Sequence, residues 1–202
     1  MKKLAILALS VIIALCFSAI VFAQYTDDLT GSGEAIASGH RQPHEVPAHA
    51  FDNNLNNYWY DEGPDYPFWI GYDFGAGNEK QIEKYTFVTG YYNNGRPVDW
   101  QFQGSNDNFN WTTLHSQSGA SLATETLYEH PISNSIAYRY YRFFVTLTTL
   151  NWYPMVAIDE MELMAASVGN PEITVKGNEL VIADGDTSPS TTDNTDFGLR
   201  HV

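Results

Sequence analysis

Residues 50–59 read AFDNNLNNYW: one carboxylate, Asp52, heads a string of asparagines that closes on the aromatic pair Tyr58 and Trp59. Asparagine competes with helix and strand by bonding its own backbone, so the run predicts an ordered loop between regular elements. A loop rich in side-chain and main-chain oxygens suits a hard cation such as calcium. A plain turn that uses asparagine for its backbone freedom gives the same local pattern.

Upstream, Lys2 and Lys3 precede an uncharged run from Leu4 to Ala23, and Val21 and Ala23 suit a signal peptidase cutting before Gln24. Residues 1–23 are therefore expected to be a signal peptide, although an uncleaved run of this length also suffices to span a bilayer. Cys16 is the single cysteine, and Leu15 before it does not suit lipid attachment. After cleavage the net charge moves from −14 to −16, because two lysines and no acids are lost. Such a surface disfavours nucleic acid, anionic lipid and heparin-like partners. A disulfide-free exported domain must be stabilised by core size or metal, and a domain of about 140 residues buries roughly two-thirds of its unfolded surface.

The aromatic residues cluster between Phe51 and Tyr153, marking one domain over residues 24–166. Period-two stripes run through Tyr85, Phe87 and Thr89, through Trp100 and Phe102 against Gln101 and Gln103, and through Tyr141, Phe143, Val145 and Leu147. Turn clusters DEGPDYP, GAGNEK, YYNNGRP and SNDNFN separate them at the spacing of an all-β sandwich. In VAIDEMELM (156–164), regular alternation puts Ile158, Glu160 and Glu162 on one face and Asp159 and Met161 on the other. Apolar neighbours on both sides imply buried carboxylates, which need partners. From Ser167 the composition turns polar, and residues 167–202 read as a linker with a strand or hairpin, an incomplete second β segment.

The ordered set AFDNNLNNYW, FWIGYDFG (68–75), DWQFQGSNDNFNWTTL (99–114), YRYYRF (138–143) and VAIDEMEL resembles the discoidin family, the coagulation-factor type C domains, which include bacterial galactose-binding-like carbohydrate-binding modules. The resemblance implies an eight-stranded jelly roll with a structural calcium. Asp52 would supply a side-chain ligand, Ala50, Asn54, Asn57 and Ala157 mainly main-chain oxygens, and Glu160 the closing carboxylate. Asn53 stands where the family usually has glycine, and asparagine tolerates the left-handed backbone that position implies. The terminal disulfide of animal members is missing, which favours the bacterial type. The segment after Ser167 resembles the opening of choice-of-anchor immunoglobulin-like repeats.

For ligand binding, Tyr91, Tyr92, Asn93, Asn94 and Arg96 lie between two predicted strands and mix aromatic faces with hydroxyl-bonding groups. Trp152 and Tyr153 lie before the last strand, where the family often places a stacking aromatic, and Tyr60, Asp61 and Tyr66 make a third candidate loop. The competing reading puts these aromatics in the core or at its rim. His40, His44 and His49 fall within ten residues, but Pro43 and Pro47 rule out the one continuous helix a zinc cluster would use; His40 or His44 suits sugar hydroxyls better. Asp159, Glu160 and Glu162 do not make a general acid–base pair on alternating strand positions, and no nucleophile, phosphate-loop or zinc-protease motif occurs. Asn110-Trp111-Thr112 matches a glycosylation sequon that in a bacterial chain is a chance match. The expectation is a non-catalytic, secreted or cell-surface module that binds neutral glycans, galactose-type favoured, and targets covalently linked domains. The alternatives are an adhesion domain binding protein through the same loops, or a spacer.

Overall fold

The computed structural model describes residues 24–64, 66–91, 95–150 and 152–167, together with the backbone pairing of residues 176–177 and 180–181. The expected signal peptide and the candidate ligand residues Tyr92, Asn93 and Asn94 lie outside the described residues, as does most of 168–202.

The strands are β1 (Gln24–Tyr25), β2 (Glu34–Ala37), β3 (Trp59–Glu62), β4 (Phe68–Asp73), β5 (Lys84–Thr89), β6 (Pro97–Ser105) and β7 (Thr112–Gln117). They continue as β8 (Leu127–Pro131), β9 (Tyr140–Thr148), β10 (Met155–Met164), β11 (Ala166–Ser167), β12 (Lys176–Gly177) and β13 (Leu180–Val181). One 3₁₀ turn spans Pro47–Phe51. Two antiparallel sheets face each other as a jelly roll, one ordered β3-β10-β5-β8 and the other β2-β4-β9-β6-β7. β2 adds an edge strand to the eight strands β3 to β10. β1 pairs with β11, and β12 with β13.

The period-two stripes point where the alternation predicts, except at Leu147: beyond Val145 it is Thr148 that is buried, and Leu147 is not part of the core. Tyr85 and Phe87, Trp100 and Phe102, and Tyr141, Phe143 and Val145 all enter the core between the sheets, with Trp59, Ile70 and Tyr72. Tyr85 is the hub. Its ring stacks on Phe102 at 4.2 Å and on His130 at 4.9 Å. Its hydroxyl accepts the Trp100 indole N–H at 2.9 Å and pairs with His115 Nδ1 at 2.8 Å.

In β10 the regular alternation does not hold. Ile158 lies opposite Thr89 but Glu160 lies opposite Val88, so Asp159 is an extra residue, a β-bulge. The bulge resets the pleat: Ile158, Met161 and Leu163 all reach the core, while Glu160 and Glu162 line the outer face with Thr86, Val88 and Leu127. The expectation that Ile158 shares a face with Glu160 and Glu162, opposite Met161, is corrected by this one inserted residue.

Two outcomes are expected. Tyr85→Phe strands the buried Trp100 N–H and His115 Nδ1, which should cost about 1–3 kcal/mol and lower Tm by several degrees in a thermal melt. Burial, reinforced by His115, holds the His130 imidazole down at about 4 against an ordinary 6.5. The unfolded chain therefore takes up a proton that the fold resists, and this contribution to stability is lost as pH falls from about 6.5 to about 4. Asp159 and Glu160, raised to about 7 by burial, act oppositely over the same interval. The informative measurement is thus a difference: His130→Phe should gain stability relative to the unsubstituted chain as pH falls from 6.5 to 4 in denaturant titrations.

Candidate functional site

Two regions carry polar groups that the core does not use. The first is the Asp52 loop. Pro47 opens the 3₁₀ turn, and Ala50 and Phe51 anchor its end in the core. Asn53 then takes a left-handed φ of 59°, which reverses the chain. The Asn54 amide donates to Asp52 Oδ1 at 3.0 Å and to Glu160 Oε2 at 3.2 Å, so the two carboxylates share one donor. Asn57 Nδ2 donates to Asp52 Oδ2 at 2.7 Å, and the Met161 amide to Glu160 Oε1 at 3.2 Å. Glu160 is only 6 % exposed; burial first, and then the charge of Asp52, raise its carboxyl to about 7. Asn57 Oδ1 is buried with no hydrogen-bond partner.

Two facing carboxylates, with no ion pair to either among the described residues, and an orphaned carboxamide oxygen beside them form an oxygen-only donor set that fits calcium. Asp52, Asn54, Asn57 and Glu160 come together here, with Ala50 at the end of the preceding turn. The Ala157 carbonyl accepts the Gly90 amide at 3.2 Å. Among the described residues no three His, Cys, Asp or Glu side chains converge on a metal position.

The second region is the end of the sandwich where β3, β5 and β9 finish and β4, β6 and β10 begin. Main-chain bonds tie its loops together: Thr149 N to Arg96 O at 3.0 Å, Ala157 N to Gly95 O at 3.3 Å, and Gly63 N to Pro154 O at 3.3 Å. On this frame Trp152 is 83 % exposed, Tyr91 70 % and Tyr153 45 %, and the Trp152 and Tyr153 rings lie 6.5 Å apart. These three side chains therefore stand outside the core. Arg96 is half-buried beside them, and His40 and His44 are exposed on the segment after β2.

The third candidate loop serves structure instead. Tyr60 and Asp61 are buried, Asp61 accepts the Ser38 hydroxyl at 2.7 Å, and the Tyr66 hydroxyl pairs with Thr148 Oγ1 at 3.0 Å. Sequence reasoning missed Glu45, which is 1 % exposed and takes Arg41 Nε at 3.2 Å while that guanidinium covers the Tyr60 ring. The four-residue spacing of Arg41 and Glu45 was the available signal.

An exposed aromatic rim at the loop end of a jelly roll, with an oxygen-lined loop at its flank, is the arrangement of a galactose-binding-like β-sandwich. The chain belongs to the F5/8 type C domain family, whose model matches residues 34–161. Solved structures share the fold. A Clostridium perfringens family 32 carbohydrate-binding module in complex with GalNAc-β-1,3-galactose is 14 % identical, with a TM-score of 0.60 over 69 % of this chain and 100 % of that one. The family 32 module of C. perfringens NanJ in complex with galactose is 13 % identical, with a TM-score of 0.58 over 70 % and 99 %. Chitosan-binding module 1 of a chitosanase/glucanase from Paenibacillus sp. IK-5 is 18 % identical, with a TM-score of 0.56 over 68 % and 98 %. Comparison with curated proteins finds no match.

The left-handed φ at Asn53 yields a direct expectation. Asn53→Gly should keep the melting temperature, whereas Asn53→Ala, forced into a backbone that alanine resists, should lower stability by about 1 kcal/mol. Thermal melts of the two variants measure the difference.

Proposed function

We propose that this chain is a non-catalytic glycan-binding module of an exported protein, recognising neutral sugars of the galactose type at the loop end and targeting covalently linked domains. The observation that carries this reading is the exposure of Trp152, Tyr153 and Tyr91 on loops fixed by main-chain hydrogen bonds. Large aromatics have few side-chain torsions and lose little entropy when a sugar ring covers them. Arg96, and His44 from the neighbouring segment, supply donors for hydroxyl groups, and Tyr92 and Asn94 lie within three positions of Tyr91 in the sequence. The complexes of the family 32 modules with galactose and GalNAc-β-1,3-galactose support the choice of sugar. The lysine-headed apolar run at residues 2–23 supports export.

In this reading calcium is structural. Asp52, Glu160 and the amide and carbonyl oxygens of the Ala50 to Asn57 loop would hold it, and the ion would neutralise the facing carboxylates. It stays remote from the sugar.

A glycan array probed with residues 24–167 should give signals among galactose-terminated and other neutral sugars. Trp152→Ala should abolish them with Tm unchanged. Silence on the array together with capture by cell-surface protein extracts would replace glycan recognition by protein adhesion. Chelation with EDTA should lower Tm by several degrees, since a ligand at about 100 times its Kd stabilises by roughly 2.7 kcal/mol. Superimposable melts with and without chelator would remove calcium from the account.

A further inference from the structure

The outer face of the five-stranded sheet holds a cation without an anion. Arg142 in β9 has its guanidinium carbon 4.0 Å from the Trp111 ring centroid, 4.5 Å from that of Phe144 and 5.9 Å from that of Trp69. Among the described residues no carboxylate lies within ion-pair distance of it, whereas Arg139 and Lys84 each have one and Arg41 has two. In a chain with 24 acidic residues against 10 basic ones, an arginine left unpaired does not reflect a shortage of acids.

The surroundings fix how this cation is presented. Arg142 lies opposite Gly71 on β4 and Gln103 on β6. A Cβ at Gly71 would fall 2.2 Å from the Tyr141 carbonyl oxygen and 3.0 Å from Arg142 Cβ, so the lane beside the arginine stays clear of any side chain. Arg142 Nε donates to Gln103 Oε1 at 2.7 Å. Gln103, 7 % exposed, is itself held through Nε2 by Gln101 Oε1 at 2.6 Å, which Thr113 Oγ1 also reaches at 3.1 Å. The inner edge of the guanidinium is thus taken and its orientation set, while no hydrogen bond to a described side chain uses its Nη atoms. Partial burial lowers the Arg142 guanidinium to about 10, and the aromatic rings offset part of that cost.

We propose that Arg142, framed by Trp69, Trp111 and Phe144, is a second ligand site that takes the carboxylate of a uronate residue in an acidic glycan. A planar, singly charged carboxylate matches the Nη edge of a guanidinium in two parallel hydrogen bonds. The neighbouring rings offer apolar surface to the C–H face of the sugar that bears it, which a free inorganic anion would leave unused. The ligand class rests on the glycan-binding reading above; the location does not, because this face is separate from the loop end.

The test is NMR on the full chain, following the indole N–H signals with trigalacturonate and, separately, with galactotriose. Trigalacturonate should shift Trp69 and Trp111 and leave Trp152 in place. Arg142→Lys, which keeps the charge but loses the fork, should weaken that response about tenfold. Thr113→Glu, an exposed change that sets a carboxylate beside Gln101, should weaken it at least as much, and it carries the test if Arg142→Lys fails to fold. A trigalacturonate response confined to Trp152, one indifferent to both substitutions, or none at all overturns the second site. Galactotriose shifting Trp152 in those cases leaves the loop-end reading standing. Trp69 and Trp111 responding to trigalacturonate while Trp152 ignores galactotriose would do the reverse.

Discussion

The inserted residue Asp159 is the constraint on which both the core and the Asp52 loop depend. A regularly pleated β10 would send either Ile158 or Met161 out of the core, since the two differ by an odd number of positions. With one extra residue between them, both stay inside, with Leu163, against Phe87 and Trp59. The same insertion throws Glu160 outward to the amide of Asn54, across 106 positions of sequence. Thus one local irregularity both completes the hydrophobic interior and closes a polar loop. Asp159 itself is left 6 % exposed beside Glu125, where burial first and that neighbouring charge second push its carboxyl up to about 7.

Electrostatics divide the molecule unevenly. Acids dominate the chain, yet those near β10 are held in desolvated positions where their charge is disfavoured, whereas Asp73 is lowered by its paired hydrogen bonds from Arg139 at 2.7 Å. Carboxylates with a built-in partner brace the fold. The carboxylates that burial raises, Asp159, Glu160 and Glu162, gather along β10. Arg142 is the mirror image on the opposite sheet.

Much of this architecture was legible in the sequence because period-two patterns report burial directly. The stripes at Tyr85, Trp100 and Tyr141 gave the sandwich, the asparagine run gave an ordered loop, and the family resemblance gave the left-handed backbone at Asn53. The facing of β10 was not legible, because a bulge shifts every later residue by one and leaves no compositional mark at Asp159. Tyr60 and Tyr66 looked like ligand aromatics because a turn cluster reads as exposed; the fold instead uses their hydroxyls and rings internally. Trp69, Trp111 and Arg142 lie in the stretches that carry the family resemblance but were not legible as one cluster with Phe144, because the four come from three separate segments and only strand order makes them neighbours.

The pairing of β1 with β11 sets Gln24 opposite Ser167. Entry and exit of the chain therefore lie side by side, where β10 ends, at the pole away from Trp152. Polypeptide joined at Gln24 or at Ser167 would meet the domain on the side opposite the aromatic rim, so an attachment at either end would leave that rim uncovered.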